Sequence, residues 1–360
     1  MATTLESPFL GYLHSFRGFA IINIVAIHSM VFALLGSSNF NFDPKSSIAF
    51  LNELLFHNST IYFALISGVL FTVVLRSKGY KKFYISKVKY VLMPYLFFTL
   101  IFSLFPRNSS DWFALQPDVP TYFKAVLSNY WLGKADFTYW YIPVLIFLYL
   151  VTPLLNFLLN LKQIGGILFL IILLAPLVIS RIEVMEMGNS LSLSTMIYFM
   201  GAYAGGMYLG EDLETKLSWI QKNYIAILAI ALMSSFTLIY IHQIDFNKIG
   251  FVSVWSSLFY IQKMCVSVLV LLVFKNLGEK QPGWLHRIAT NAFTIYFIHS
   301  FFVAIAMGAL IPFLTYTQIS PFNIILGAIV ILIVSIGLSM LFALLFKRIF
   351  GKYSKMVVGS

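Results

Sequence analysis

The stretch HSFRGFAIINIVAIH, residues 14–28, indicates the fold class of this chain. It is an apolar run of the kind that crosses a bilayer as a helix of about 20 residues, yet it contains Arg17 and His28. These two lie eleven positions apart, so they share one helix face, about 16 Å apart along the axis. Charged groups inside a span usually face a cavity, which makes the pair a candidate site. An arginine that reaches the interface and a packing histidine would fit the same pattern.

The composition of the whole chain extends this interpretation. Of its 360 residues, 60% are apolar and 10% are charged, whereas soluble domains carry about 25% charged residues. We therefore expect most of the chain to lie in lipid. Ten segments have the length and apolar character of a membrane span, at about residues 14–36, 51–75, 90–106, 139–158, 164–181, 194–210, 223–241, 251–274, 290–311 and 322–346.

The links between these segments are short, except for the link over residues 107–138. The sequence shows no repeat of fixed period, no low-complexity tract and no linker that would separate soluble domains. We therefore predict a single domain over residues 1–360 without a fused extracytoplasmic domain. Its predicted class is an all-α, polytopic integral membrane protein with about ten transmembrane helices.

Lys and Arg side chains are distributed unevenly over the links. With ten spans both termini lie on one side, and that side holds sixteen cations: Arg76, Lys78, Lys81, Lys82, Lys87, Lys89, Lys162, Lys216, Lys222, Lys275, Lys280, Arg287, Lys347, Arg348, Lys352 and Lys355. The other side holds six: Lys45, Arg107, Lys124, Lys134, Arg181 and Lys248. Cytoplasmic loops carry the excess of Lys and Arg, so we expect cytoplasmic termini and a multi-pass protein of the cell membrane. This placement explains the basic net charge without a nucleic-acid partner.

Ionisable side chains also interrupt later spans. Glu53 and His57 are four residues apart in the second span, so they share a face, where a carboxylate could orient an imidazole. A solvated helix end would show the same pair. Lys263 in the eighth span is interpreted as a paired structural cation or a catalytic one. His299 in the ninth span is interpreted as a packing residue.

Two aromatic residues, Tyr139 and Trp140, open the fourth span. Aromatic side chains at this depth usually form the interfacial belt, but they could also stack on a sugar ring. Several catalytic signatures are absent, namely the phosphate-binding loop, H-E-x-x-H, clustered Cys and His, and G-x-S-x-G. The sequence therefore predicts no metal ion.

A series of short motifs resembles the acyltransferase family 3 membrane proteins. Arg17, ten further residues and His28 are similar to the family's signature in the first span. The other similar segments follow in the family's order: His57 with FALISG (63–68), KVKYVLMPY (87–95), WY (140–141) through TPLL (152–155), and IYFIH (295–299). The resemblance covers nearly the whole chain.

This resemblance implies a membrane O-acyltransferase that moves an acyl group from acyl-CoA to a hydroxyl of a cell-surface or exported polysaccharide. His28 would then act as the general base or as a covalent acyl relay, and Arg17 would guide the donor. Residues 87–95 and 198–203 look most like the O-succinyltransferase branch of biofilm poly-N-acetylglucosamine operons. The expected donor is therefore acetyl-CoA or succinyl-CoA.

The resemblance also divides the remaining candidates between the two substrates. The donor side would consist of Lys82, Lys87 and Lys89, which the charge bias of cytoplasmic loops explains equally well. Many members carry an Arg pair there, and lysines cannot grip a phosphate in the same bidentate way. The acceptor side would consist of Glu53, His57, Tyr139 and Trp140. The implied partners are the glycan acceptor, the lipid bilayer and the polysaccharide synthesis machinery.

Another class of protein would bury similar polar groups among its helices. An exporter of a glycan or of a lipid-linked sugar would line its pathway with them, and this alternative stays open at the level of sequence. Transporters tend to carry internal repeats, and the sequence shows none.

Overall fold

The computed structural model describes residues 8–37, 46–105, 115–161, 164–181, 192–250, 252–316 and 320–359. Its α-helices are α1 (Pro8–Ser37), α2 (Ser47–Phe56), α3 (Thr60–Leu70), α4 (Tyr80–Lys87), α5 (Met93–Phe102), α6 (Val119–Leu132), α7 (Tyr141–Asn160), α8 (Ile164–Leu174), α9 (Leu193–Glu211), α10 (Leu213–Lys222), α11 (Tyr224–Gln243), α12 (Val254–Leu277), α13 (Gly283–Thr290), α14 (Ala292–Tyr316), α15 (Pro321–Phe350) and α16 (Ser354–Val357).

Short turns of other helix types join these elements. The π-helical turns are Phe71–Leu75 and Val88–Leu92. The 3-10 turns are Arg76–Lys78, Ala175–Leu177, Gly278–Lys280 and Gly351–Tyr353. Strands β1 (Lys248–Ile249) and β2 (Val252–Ser253) pair in antiparallel fashion between α11 and α12. The predicted all-α, polytopic fold class is therefore confirmed.

All ten predicted spans correspond to helices, which differ in length and apolarity. Within the described residues, eight helical segments are long and apolar enough to cross a membrane: Gly11–Ser37, Ser47–Lys78, Tyr80–Phe102, Tyr141–Asn160, Tyr224–Gln243, Val254–Lys280, Ala292–Pro312 and Pro321–Val357. The predicted span 164–181 is the shorter apolar segment Ile164–Leu177. The predicted span 194–210 is α9, in which glycine and tyrosine residues lower the hydropathy.

The long link over residues 107–138 contains helix α6, which sequence analysis did not predict. Asp118 caps the helix, because its Oδ1 accepts a bond of 2.7 Å from the backbone N–H of Thr121. That bond stabilises the carboxylate and lowers the pKa of Asp118. The helix ends at Gly133, whose φ of +66° lies in the left-handed region that favours glycine.

The second predicted span is a broken helix. Helix α2 ends at Phe56, α3 begins at Thr60, and Asn58 between them has a φ of 58°, a conformation that asparagine adopts more readily than most residues. The polar run over residues 57–60 interrupts the apolar sequence at this place. The break brings the polar side chains of residues 57–60 and two helix ends to one level of the bundle.

Lys263 on α12 caps the α2 side of this break. The last carbonyls of a helix have no partner within it, and here Lys263 Nζ donates to Leu54 O (3.3 Å) and Leu55 O (2.7 Å). Gln262 Nε2 also donates to Leu54 O, and the charge of Glu53 acts on Lys263. The buried ammonium is thus stabilised by carbonyl dipoles and a carboxylate. These contacts are those of a structural cation, one of the two interpretations of this residue.

Close backbone contact joins α3 to α9. A Cβ atom at Gly68 would overlap Tyr203 O, and one at Gly206 would overlap Leu65 O, so only glycine permits this approach. The glycine of the FALISG segment therefore has a packing role. Helix α1 packs against α14 and α15. These contacts place the helix that carries Arg17 and His28 in the interior of the bundle.

Candidate active site

A cavity of about 1060 Å³ lies beside the C-terminal half of α1. Its wall is formed by α1, α2, the break after α2, the turn before α7, Ser180 and Arg181 after α8, the end of α11 and the residues that follow it, the start of α12, and Tyr296 of α14. Four residues predicted from sequence belong to this wall, namely His28, Glu53, His57 and Trp140. The fold therefore brings candidates from three predicted spans to one place.

The ring of His28 lies between two other rings. Phe137 meets it edge-on at a centroid distance of 5.1 Å, and His299 lies at 5.3 Å with its plane tilted by 36°. His28 is half-buried and faces the cavity. A histidine in this position can exchange a proton with a molecule in the cavity while its ring stays fixed by its neighbours.

His299 was interpreted from sequence as a packing residue, and its contact with His28 makes that interpretation incomplete. Its side chain is fully buried on α14, and its Nδ1 is within 3.0 Å of Ile295 O and 2.8 Å of Tyr296 O. The charge of Asp136 acts on the ring. The sequence could not show this, because a histidine beside another one depends on how two distant helices pack.

The carboxylate of Glu53 contacts the imidazole of His57 through Oε2 and Nδ1 at the end of α2. His57 is buried, with its ring 4.6 Å from that of Phe259, whereas Glu53 is partly exposed. Both residues line the cavity. They thus form a polar patch that a ligand in the cavity can contact.

Trp140 and Tyr139 are adjacent in sequence but have different surroundings. Trp140 lines the cavity, and the guanidinium of Arg181 lies 5.4 Å from its ring centroid. Tyr139 is fully buried, and its hydroxyl donates to Phe297 O at 2.6 Å. Tyr139 is absent from the cavity wall, so the structure does not bring it together with His28 and Trp140 at this cavity. In the turn before α7, Phe137, Thr138 and Trp140 line the cavity, whereas Tyr139 packs away from it against α14.

Other residues of the cavity wall were not singled out from sequence. Arg181 was counted only as an external cation, and His242, which stacks on Phe50 at 4.0 Å, was not considered. Asn58 donates through Nδ2 to Tyr198 Oη (3.0 Å) and also lines the cavity. The sequence feature that could have indicated Asn58 is the polar run over residues 57–60, because polar residues inside a span mark a break or a cavity.

Arg17 lies away from this cavity, at the N-terminal half of α1. It is half-buried, and its charge acts on Lys87 and Tyr149. Lys87 Nζ lies 4.4 Å from the ring centroid of Tyr149, and Ser67 of the FALISG segment lies near the Tyr149 hydroxyl. We call Arg17, Ser67, Lys87 and Tyr149 the Arg17 cluster.

The other two predicted donor-side lysines lie outside the Arg17 cluster. Lys82 and Lys89 are exposed, and Lys89 Nζ lies 5.5 Å from the ring of Tyr90. Only Lys87 among the three therefore interacts with Arg17 in this arrangement. The exposed lysines contribute positive potential, which salt screens.

Three links that were assigned to the same side of the membrane meet near the Arg17 end of the bundle. Arg76 forms an ion pair with Glu211, and Lys275 forms one with Glu214 at 2.5 Å. Ser15 on α1 donates to Gln281, which follows α12. These contacts between the three links agree with the prediction that successive links lie on alternate sides of the membrane. The link over residues 182–193, assigned to the other side, lies outside the described residues except at its end.

Residues 10–344 match the acyltransferase 3 family, whose sequence model is described as an acyltransferase domain. The chain belongs to the acyltransferase 3 family. The predicted family is therefore confirmed, and with it a membrane acyltransferase activity and a multi-pass membrane location. Neither curated proteins nor solved structures gave a match to the chain.

The described residues contain no group of three or more His, Cys, Asp or Glu side chains that could hold a metal ion. The cavity wall offers imidazoles, aromatic rings, the carboxylates of Glu53 and Asp245, the guanidinium of Arg181 and the side chain of Lys248. These groups are suited to proton transfer and to the binding of a polar, ring-shaped ligand.

Proposed function

We propose that this acyltransferase moves an acetyl or succinyl group from acyl-CoA to a hydroxyl of a cell-surface or exported polysaccharide. The observation that carries the proposal is the position of His28 in the wall of a cavity of about 1060 Å³. Ligand sites typically have volumes of about 300–1,000 Å³, so the cavity has room for a sugar unit together with an acyl group.

His28 would be the general base of the reaction. A hydroxyl is a weak nucleophile until its proton is removed, and neutral imidazole suits that task near pH 7. The proton of the acceptor hydroxyl passes to His28 as its oxygen forms a bond to the thioester carbon. The carbon–sulfur bond then breaks, and the CoA sulfur takes the proton. A covalent acyl-histidine is the alternative route.

The donor would enter at the Arg17 end of α1. Arg17 and Lys87 supply the positive charge that attracts the CoA phosphates, with Lys82 and Lys89 outside them. The rise of about 16 Å along α1 between Arg17 and His28 is comparable to the reach of a pantetheine arm. The acyl group could therefore arrive at His28 while the phosphates stay near the cytoplasmic surface of the cell membrane.

The acceptor would bind in the cavity, with the face of Trp140 against a sugar ring and the Glu53–His57 pair on its hydroxyls. Aromatic faces and paired polar groups are the usual components of a site for a polar ligand. The glycan would be presented there by the polysaccharide synthesis machinery from the outer side.

Purified protein in proteoliposomes, supplied with labelled acetyl-CoA or succinyl-CoA and a surface glycan, tests this proposal. We expect release of CoA that depends on the acceptor, and transfer of the label to the glycan. Transport of the glycan across the bilayer without CoA release would instead identify an exporter. Mass spectrometry of surface glycans from a deletion strain identifies the natural acceptor and acyl group.

A further inference from the structure

We propose that His299 is a positioning residue for His28. In this arrangement His299 Nε2 accepts a hydrogen bond from one ring nitrogen of His28, which leaves the other nitrogen as the base toward the cavity. The inference rests on the proposed function, in which His28 removes the proton of the acceptor hydroxyl.

The hydrogen bonds of His299 define which of its nitrogens is the acceptor. Its Nδ1 lies within hydrogen-bond distance of two carbonyl oxygens, Ile295 O and Tyr296 O, and a carbonyl can only accept. Nδ1 therefore carries the hydrogen, and in a neutral ring Nε2 is an acceptor. Nε2 is buried and has no hydrogen-bond partner among the described residues. An unsatisfied buried acceptor is costly, so a donor at this position would be stabilising.

His28 is the polar group positioned to supply that donor. Two imidazoles joined by an N–H···N bond have centroids about 5 Å apart, and those of His28 and His299 are 5.3 Å apart. The other ring against His28 belongs to Phe137, which has no nitrogen to offer. A bond to His299 would fix the tautomer of His28, and the hydrogen bond at one nitrogen determines the role of the other.

Asp136 extends this arrangement behind His299. Its Oδ2 accepts from Ser300 Oγ (2.9 Å) and its Oδ1 accepts from Thr138 N–H (2.9 Å), so the carboxylate is held in place. Its charge acts on His299. When His28 takes the hydroxyl proton, a fixed negative charge nearby stabilises the positive imidazole pair. The proton then leaves with the CoA sulfur, so neither His299 nor Asp136 changes its proton count over the cycle.

Two substitutions at position 299 separate this role from packing. In His299→Asn the amide can still donate to the helix carbonyls, but no acceptor reaches His28; in His299→Gln the amide oxygen reaches about as far as Nε2. We expect kcat to fall about 10–100-fold in His299→Asn, a part of the general-base effect. The KM values for acyl-CoA and acceptor should change by less than about twofold, and His299→Gln should recover most of kcat.

The chain offers a matched control at the opposite end of α1. His14 and His286 form a similar ring pair, with centroids 5.2 Å apart. His286→Asn should keep the wild-type kcat, with all variants checked by thermal unfolding in detergent. Equal losses in His286→Asn and His299→Asn would overturn the proposal, as would a wild-type kcat in His299→Asn, a loss confined to KM, or no recovery in His299→Gln.

The result for His28→Ala distinguishes failure of the pairing from failure of the proposed function. If His28→Ala is inactive while His299→Asn is fully active, His28 acts without His299 and only the pairing is wrong. If His28→Ala keeps its activity, the base assignment itself is wrong, and the pairing fails with it.

Discussion

The two ends of helix α1 have different polar surroundings. At the Arg17 end, cations lie against aromatic rings, with Lys87 Nζ 4.4 Å from the ring centroid of Tyr149. At the His28 end, the helix borders a cavity whose polar groups include imidazoles, the Glu53–His57 pair and the guanidinium of Arg181. The first end is suited to holding an anion by charge, the second to exchanging protons with a neutral polar ligand.

This difference has a physical basis in the position of each group along the span. A permanent charge such as arginine is least costly near the membrane surface, where its head group reaches water. Histidine can be neutral, so it can lie deeper at lower cost. A single helix can therefore carry a permanent charge near one membrane surface and a neutral base deeper in the bundle, as the proposed function requires.

The largest expected effect is an all-or-none difference in chemical labelling between the two sides of the membrane. With Cys265 replaced by serine, a cysteine at the exposed Ser77, beside the Arg17 end, should not react with an impermeant maleimide in intact cells. A cysteine at the exposed Ser128 on α6 should react. Labelling of Ser77→Cys alone would reverse the orientation and the direction of transfer.

The next effect is the loss of catalysis in His28→Ala. Removal of a general base typically lowers the rate by about 10²–10⁴-fold, and we expect kcat to fall within this range while expression and thermal unfolding stay unchanged. The comparison of the two ends would fail if a stably folded His28→Ala protein turned over at the wild-type rate.

Arg17→Lys should raise the KM for acyl-CoA by about 10–100-fold, because one charge-assisted bond contributes about 1.5–3 kcal/mol and lysine lacks the planar fork of arginine. The KM for the acceptor should not change. The measurement is initial rates at varied donor concentration. Full activity of Arg17→Lys at low donor would mean that Arg17 merely reaches the interface.

Glu53→Gln and His57→Ala test whether the Glu53–His57 pair belongs to the acceptor site. If the two residues bind the acceptor as a unit, their effects are not additive, and we expect an interaction energy of about 1 kcal/mol or more in a double-mutant cycle on kcat/KM. Two small, additive effects would show that the pair is only the solvated end of α2.

The smallest effects are expected for the exposed lysines. Exposed charge pairs contribute about 1 kcal/mol or less, so Lys82→Gln and Lys89→Gln should each raise the donor KM by no more than about fivefold, and less at high salt. Lys87→Gln should raise it more, because Lys87 lies in the Arg17 cluster. Equal effects at the three positions would mean that donor binding depends on the overall positive potential.

The sequence predicted the helices well because helix formation in lipid depends on local properties. Each predicted span needed only an apolar run of sufficient length. The exceptions have local causes too. The break at Asn58 depends on one left-handed residue, and α6 lies in the long link over residues 107–138, for which no helix was predicted. The glycines that bring α3 against α9 carried no signal of which helix they would meet.

The candidate site was predictable only in part. Arg17 and His28 could be assigned to one helix face, and the family motifs pointed to them. Trp140 and Tyr139 could not be separated, because the turn before α7 decides which of them faces the cavity. His299 could not be linked to His28, nor Lys263 to the end of α2, because each contact joins helices far apart in sequence.

The sequence by itself determined that this protein is a helical membrane acyltransferase with a charged group and a histidine along one face of its first helix. These features follow from apolarity, helical periodicity and short motifs, all of which are local. Only the tertiary structure decided which polar groups meet at the cavity. In a bundle whose surface is apolar, a buried polar group is stabilised by whichever partner packing brings within hydrogen-bond distance, and that partner is set by the arrangement of the helices.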